Sequence, residues 1–154
     1  MSRLVMGIDP GVNGGIAVVD MDTHEVIDVT AMPETLADIS EFIEKHKDVV
    51  AAYVEKVHSM PKQGVASTFT FGVYYGYVLM GVVSHKIRKI DVMPAKWQSD
   101  MGVKSKKGEE KTSHKNRLKG LAQNLFPKTK VTLKNADALL LAEYGCKEEA
   151  RSCR

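Results

Sequence analysis

The chain has 154 residues, a net charge of +3 and 44% hydrophobic residues, which is enough apolar content for one globular domain with a core of its own. We expect no contact with a membrane, because we find no apolar run that meets the length of a bilayer crossing. The N-terminus lacks the basic and long apolar regions of a secretory signal, so we expect a cytoplasmic protein. In that compartment Cys146 and Cys153 are expected to stay reduced. The small net charge does not by itself indicate a nucleic-acid partner.

The first half of the chain alternates short apolar runs with turn residues, in the pattern of β-strands. Residues 3–9, 16–20 and 24–32 predict three strands, and the Pro-Gly-Val-Asn-Gly-Gly segment after the first of them favours a tight turn. Short connections of this kind indicate an antiparallel meander. From Glu34 onward apolar residues recur at helical spacing, and residues 49–55 predict a fourth strand.

The second half is mostly helical. Apolar periodicity and helix-start signals predict helices over residues 65–85, from Pro94 through Trp97, from Ser113 or His114 to Phe126, and over residues 135–146. A fifth strand is predicted over residues 90–93, and residues 102–112 form a charged loop. With no repeat or linker visible, residues 1–154 are predicted to be a single domain.

Three glycines fall inside the long predicted helix. Gly72, Gly76 and Gly81 each cost about 1 kcal/mol of helix stability. We therefore expect another backbone, of protein or of a ligand, to approach closely there.

Three acidic residues stand where a metal centre would need them. Asp9 ends the first strand, Glu55 ends the fourth, and Asp137 opens the last helix. Two such strands side by side, with the start of a helix laid across them, would bring three carboxylates together. Their mutual repulsion calls for a cation, and ligands that are all oxygen favour Mg²⁺ or Mn²⁺.

Each of the three carboxylates also has a simpler interpretation. Asp9 precedes Pro-Gly and could be only a turn former, and Glu55 could be a solvated charge at the end of a strand. Asp137 would meet the positive end of a helix dipole whatever its function. Only the ordered set favours a metal centre.

A basic cluster lies ahead of the last helix. Its members are Lys104, Lys106, Lys107, Lys111, Lys115, Arg117 and Lys119. Such a cluster gains binding energy from counterion release when it faces a sugar-phosphate backbone. The alternative is a solvated loop and helix face.

The order β-β-β-α-β-α-β-α-α, together with its motifs, resembles the RuvC-type Holliday-junction resolvases of the ribonuclease H-like superfamily, and within them the phage-encoded branch. The motifs that carry the resemblance lie at residues 7–11 and 13–15, 53–55, 63–64 with Ser67, 71–72, 75–76, 92–94 with Trp97, 112–117, 125–127 and 136–144. The Gly-Ile-Asp-Pro-Gly opening alone also resembles the phosphate-binding turn of actin-like ATPases, whereas the ordered set is specific.

The resemblance implies a fold and an activity. The expected fold class is α/β, with a five-stranded mixed sheet flanked by helices. The expected activity is that of a homodimeric, structure-specific endodeoxyribonuclease that resolves four-way junctions by paired symmetric nicks. It would work in the cytoplasm of a bacterial or phage-infected cell.

The resemblance also assigns roles to the candidate site residues. It implies that Asp9, Glu55 and Asp137 bind Mg²⁺, with Mn²⁺ as a substitute, as one or two ions per subunit. Lys115 fits the family's lysine near the scissile phosphate, with Lys111 in reserve. Many relatives have a fourth carboxylate three residues before the last one, but here that position is Lys134. Either the following Asn135 supplies a neutral oxygen, or substrate phosphate and water complete the coordination.

The segment after Glu55 is predicted to lie at the DNA. His58 or Met60 would stack on an exposed base, although Met60 could equally be a residue that packs within its loop. Lys62, Gln63 and Ser67 would contact phosphates, together with the basic cluster.

The long helix is predicted to form part of the dimer interface. The residues assigned to it are Phe69, Phe71, Val73, Tyr74, Tyr77, Val78 and Met80. Trp97 is predicted to pack in the core rather than to contact DNA.

Three alternatives belong to other functional classes. An actin-like ATPase or sugar kinase would share the opening strand but needs a second domain. A junction-binding protein that does not cut would fit the lysine at position 134. A related nuclease acting on forks, flaps or RNA hybrids is the main alternative within the same fold.

Overall fold

The computed structural model describes residues 1–153, and a five-stranded mixed sheet lies at its centre. The strands follow the order β3-β2-β1-β4-β5 across the sheet. Their bounds are β1 Leu4–Asp9, β2 Gly15–Asp20, β3 Val26–Ala31, β4 Ala51–Glu55 and β5 Lys89–Val92. The meander β1-β2-β3 is antiparallel, whereas β4 and β5 join it in parallel.

Five helices cover the two faces of the sheet. Their bounds are α1 Leu36–Lys45, α2 Val65–Ser84, α3 Pro94–Asp100, α4 Lys111–Leu125 and α5 Ala136–Ser152. Alternate residues of each strand point to opposite faces, so Val5 packs in the core beneath α3, α4 and α5, while Met6 and Ile8 pack in the core beneath α1 and α2. The alternation in the sequence of β1 thus supplies both cores.

The strand register brings two of the acidic residues to one edge. β1 pairs in parallel with β4, with Ile8 opposite Val54. The next residue of each strand is the acidic one, Asp9 and Glu55. Because parallel strands end at the same edge of a sheet, the two carboxylates leave the core side by side.

A glycine sets the position of α5. A Cβ at Gly7 would collide with the carbonyl of Ala138 and the amide of Ala142, so the backbone of α5 lies directly on β1. This contact places the first turn of α5, with Asp137, next to the end of β1.

The predicted α/β fold class and all ten predicted elements are confirmed. Most bounds differ by one or two residues, and two helices need comment. α4 begins at Lys111 rather than at position 113 or 114. α5 continues six residues past Cys146, because the charged segment beyond it has a buried side: the Tyr53 hydroxyl donates a hydrogen bond to Glu149 Oε1 at 2.8 Å.

Within residues 1–153, none of the three helix glycines has the close approach of another backbone that was expected. A Cβ at Gly81 would lie 2.7 Å from Ile43 Cδ1, so Gly81 permits the contact between α1 and α2, although its neighbour is a side chain and not a backbone. Within residues 1–153, nothing lies within 4 Å of the Cβ position at Gly72 or Gly76. These two glycines face open space.

The helix that carries these glycines contradicts one expectation from the sequence. α2 has 20 residues and is long and apolar enough to cross a membrane by length and composition, with 11% of that apolar window buried. The expectation that no segment reaches this length was therefore wrong.

We predict that Gly7→Ala lowers the free energy of unfolding by at least about 2 kcal/mol, because the new methyl group must push α5 off the sheet. Urea denaturation measures the change. Gly120→Ala is the matched control, since no atom of residues 1–153 lies within 4 Å of the Cβ position at Gly120 in α4, and it should raise stability by about 1 kcal/mol. Equal effects of the two substitutions would contradict the role given to Gly7.

Candidate functional site

The three predicted carboxylates line one cleft at the edge of the sheet. This carboxylate cleft has a volume of about 590 Å³ and contains Asp9, Glu55 and Asp137. Other predicted site residues also line it, namely His58, Met60, Lys62, Gln63, Lys111 and Lys115. The structure therefore brings together the acidic residues, both candidate lysines and most of the loop after β4.

A second cleft lies on the other side of Asp9. This turn cleft, of about 550 Å³, is bounded by the turn after β1, which includes Asn13, and by the start of α2, which includes Ser67. The two clefts share Asp9, Gln63, Phe71, Lys111 and Lys115. Asp9 is thus the one carboxylate with access to both.

The carboxylates destabilise one another's charge. Burial raises the pKa of Asp9 well above its usual value, and the charges of Glu55 and Asp137 raise this pKa further, while Lys115 opposes the shift. Burial raises the pKa of Glu55 to about 7, against a lowering by the Trp97 hydrogen bond. Burial also raises the pKa of Asp137, with Lys115 opposing it. A positive charge added to this cleft would lower all three pKa values and stabilise the ionised carboxylates.

The three acidic side chains differ in how they are held. Trp97 Nε1 donates a hydrogen bond to Glu55 Oε2 at 2.7 Å. No group of residues 1–153 forms a hydrogen bond to the carboxylate of Asp9 or of Asp137. Their oxygens are therefore free to act as ligands.

The donor set fits a hard divalent cation, but not a closed protein cage. Within residues 1–153, no three His, Cys, Asp or Glu side chains lie close enough together to enclose one ion. Mg²⁺ is commonly bound through one or two carboxylates, with water and substrate phosphate filling the remaining positions. A cation in the carboxylate cleft would be held in that open manner.

Asn135 is not available as a neutral ligand. Its Oδ1 accepts a hydrogen bond from the backbone N–H of Thr132 at 2.8 Å, and its Nδ2 donates to the Lys130 carbonyl at 3.1 Å. The side chain is buried and closes the loop before α5. Of the two options considered for the missing fourth carboxylate, completion by phosphate and water is the one that the geometry leaves.

The loop after β4 presents its predicted residues to solvent. Met60 is 59% exposed, and its backbone N–H donates to Gln63 Oε1 at 3.2 Å. Lys62 has a positive φ of 68°, which marks a tight turn at the tip. His58, Met60 and Lys62 are therefore accessible to a large ligand, while the oxygen of Gln63 stabilises the loop.

The members of the basic cluster differ in what they line and contact. Lys111 and Lys115 line both clefts, whereas Lys104, Lys106 and Lys107 lie on the exposed loop before α4 and line neither. Arg117 forms hydrogen bonds within the protein: its Nε donates to Glu109 Oε1 at 2.7 Å and its Nη2 donates to the Lys104 carbonyl at 2.9 Å. Arg117 fixes the shape of the loop, and its contact with DNA stays a prediction.

Sequence reasoning missed two residues of the site. Trp97 is buried in the core as predicted, yet its contact with Glu55 was not foreseen. Phe71 was assigned to a dimer interface, but its ring packs against Gly11, whose φ is +113°, and it lines both clefts. Residue spacing did offer a signal for Trp97, because it lies on the first turn after β5 and β5 neighbours β4.

Comparison with known proteins identifies the fold. No family model matches the chain, and no curated protein matches it either. Among solved structures, the chain is similar to Thermus thermophilus RuvC in complex with a Holliday junction substrate, with a TM-score of 0.70 and 15% identity over 96% of both chains. A second structure of RuvC from Thermus thermophilus gives a TM-score of 0.65 and 17% identity over 97% of both chains.

At these identities the shared property is the fold. The architecture is that of the α/β, ribonuclease H-like class. More particularly, the chain has the RuvC fold over nearly its whole length. The fold expected from the resemblance is thereby confirmed, while the phage-encoded branch stays a prediction.

We predict that Glu55→Gln stabilises the metal-free protein at about pH 8 by about 1–2 kcal/mol, because it removes a partly buried charge next to two others. Folding raises this pKa from 4.5 to about 7, so the destabilisation is absent well below pH 4.5 and complete above about pH 7. Thermal unfolding of the wild type and of Glu55→Gln in EDTA, at about pH 4 and pH 8, measures the difference in stability.

The control for this prediction is Glu44→Gln on the exposed side of α1, which should leave stability unchanged at both pH values. A Glu55→Gln protein no more stable than the wild type at the higher pH would contradict the proposed electrostatic strain in the cleft.

Proposed function

We propose that this chain is a divalent-metal-dependent endonuclease that resolves four-way DNA junctions by paired nicks. The single observation that carries the proposal is the meeting of Asp9, Glu55 and Asp137 in one cleft with Lys111 and Lys115 at its wall. Carboxylates with raised pKa values attract a cation, and lysines beside them attract a phosphate. A phosphodiester nuclease needs both in one place.

The residues have separate tasks in this mechanism. Mg²⁺ or Mn²⁺, as one or two ions per subunit, would supply an activated water and stabilise the leaving oxyanion. Asp9, which borders both clefts, would hold the cation together with Glu55 and Asp137. Lys115, whose charge opposes the shifts of all three carboxylates, would neutralise charge that builds on the phosphoryl oxygens.

The clefts give a path for the DNA. The exposed loop with His58 and Met60 would meet unpaired bases at the branch point. Lys62 and the polar groups of Gln63 and Ser67 would contact phosphates that run from the carboxylate cleft into the turn cleft. The loop bearing Lys104, Lys106 and Lys107 would extend the positive surface beyond the clefts and add to the salt dependence of binding.

A homodimer is supported by an exposed stripe on α2. The stripe follows helical spacing and consists of Val65, Phe69, Gly72, Gly76, Met80 and Val83, all exposed. Its apolar members would lose water on association, and its two open glycines would let a second backbone approach. Twofold symmetry would then place two cleavage sites on opposed strands of a junction.

The stripe differs in part from the interface predicted from the sequence. Phe69 and Met80 belong to it, and Tyr77 is exposed beside it. Val78 is fully buried in the core and is not available to a partner, whereas Tyr74 is partly buried against that core. Phe71 belongs to the clefts.

A junction-binding protein that does not cut remains the second candidate. The observation that favours it is the lysine at position 134, together with the open arrangement of the carboxylates. Both candidates would bind the same DNA, and only strand scission separates them.

We predict that the wild-type protein nicks a synthetic four-way junction in Mg²⁺ on paired strands, and that Asp9→Asn lowers the rate at least about 100-fold because a ligand of the cation loses its charge. Denaturing electrophoresis of end-labelled strands measures nicking beside linear duplex, fork and RNA hybrid of equal length. Asp48→Asn, an exposed residue far from the cleft, is the control and should cut at the wild-type rate.

Three results would count against this assignment. Tight junction binding without scission in Mg²⁺ or Mn²⁺ would establish the non-cutting protein. Preferred cutting of forks or hybrids would establish a related nuclease with another substrate. Undiminished cutting by Asp9→Asn would remove the proposed metal centre.

We predict that Met80→Glu converts the dimer to a monomer, since it places a charge in the middle of the apolar stripe. Sedimentation equilibrium measures the association. The matched control is Ile27→Glu on β3, which is 48% exposed against 64% for Met80 and should remain dimeric. A wild-type protein that sediments as a monomer at all concentrations would contradict the interface.

A further inference from the structure

The hydrogen bond between Trp97 and Glu55 joins the core to the carboxylate cleft. Trp97 is the only tryptophan of the chain, and its side chain is fully buried. Its ring packs in the core under α5, at the first turn of α3. A buried indole N–H requires an acceptor, and this one uses the carboxylate that ends β4, at 2.7 Å.

Glu55 needs such a support more than the other two acidic residues do. An aspartate carboxylate is one bond from Cβ, so the backbone of β1 or α5 largely sets its position. A glutamate has one further rotatable bond and a larger choice of rotamers. Trp97 cannot follow those changes, because close packing holds its ring, so the hydrogen bond selects one position of Glu55.

The chemistry of the donor also suits a metal ligand. A lysine or arginine in this place would neutralise the carboxylate and compete with a cation for it. The indole N–H is uncharged and occupies only Oε2. The hydrogen bond therefore does not neutralise Glu55, and residues 1–153 provide no hydrogen bond to its other oxygen.

We propose that Trp97 is a positioning residue, whose buried N–H fixes the Glu55 carboxylate in the orientation that binds the catalytic cation. The inference rests on the proposed nuclease function, since it concerns the metal ligand of that site. Removing a residue that hydrogen-bonds a metal ligand typically weakens metal affinity by about 10- to 100-fold.

The test removes the N–H without changing the shape of the ring. Because Trp97 is the sole tryptophan, replacing all tryptophan by L-3-benzothienylalanine, which has sulfur in place of the N–H, alters this position alone. Trp97→Phe is the genetic counterpart. Both proteins are compared with the wild type for Mn²⁺ binding by electron paramagnetic resonance, at constant pH and without DNA.

The control is Tyr53→Phe. Tyr53 lies on the same strand as Glu55 and also donates a hydrogen bond to a carboxylate, that of Glu149, at 2.8 Å, but it does not line the carboxylate cleft. Its loss lowers stability without touching the metal ligands. Mn²⁺ binding by this variant should equal that of the wild type.

We expect the dissociation constant for Mn²⁺ to rise about 10- to 100-fold in both Trp97 proteins. The Mn²⁺ concentration that gives half-maximal junction cleavage should rise by the same factor, while junction binding in EDTA should stay at the wild-type level. A purely structural role would change thermal stability and leave Mn²⁺ affinity as it is in the Tyr53→Phe control.

The outcomes separate this inference from the proposed function. If the benzothienylalanine protein binds Mn²⁺ as tightly as the wild type, the positioning role is overturned while the nuclease stands. If the wild type neither binds Mn²⁺ nor cuts a junction, the nuclease proposal itself fails. Should Trp97→Phe not fold, the isosteric analogue alone decides.

Discussion

The contact between α5 and β1 at Gly7 is the constraint on which the rest of the site depends. Only a residue without a Cβ lets the carbonyl of Ala138 and the amide of Ala142 lie against the strand. That contact fixes the start of α5 beside the end of β1. The parallel register of β1 and β4 then adds the third carboxylate. The close contact of the two backbones at Gly7 thereby sets how far apart the three carboxylates lie in the cleft.

The resulting cluster opposes the stability of the fold that creates it. Burial raises the pKa values of Asp9, Glu55 and Asp137, and neighbouring carboxylates raise those of Asp9 and Glu55 further. The metal-free protein therefore carries charges that its environment disfavours. Such strain is common where a site is arranged for a ligand rather than for stability. The strong packing of the sheet and α5, with every residue from Ala138 to Ala142 fully buried, compensates for it.

Much of this structure could be predicted from the sequence, because its signals are local. Alternation gave the strands, and the acidic residues could be placed at one edge because parallel strands end together. The end of α5 was missed because the helix continues through charged residues whose buried partners, such as Tyr53 for Glu149, come from distant parts of the chain. The Trp97 hydrogen bond and the pairing of Arg117 with Glu109 were not predicted for the same reason. Residue type shows that a donor exists, and only the fold shows which acceptor it meets.

Phe71 connects α2 to the turn that follows Asp9. One side of this helix reaches Gly11 and the two clefts through Phe71, while the exposed stripe lies on its opposite side. The Phe71 ring lies against Gly11, so the position of α2 and the shape of the turn that follows Asp9 depend on each other. Sequence change in the stripe is therefore not independent of sequence change in the turn. We expect the two to vary together among relatives, so that the record of their descent would show pairs of compensating substitutions between residues 10–14 and the exposed face of α2.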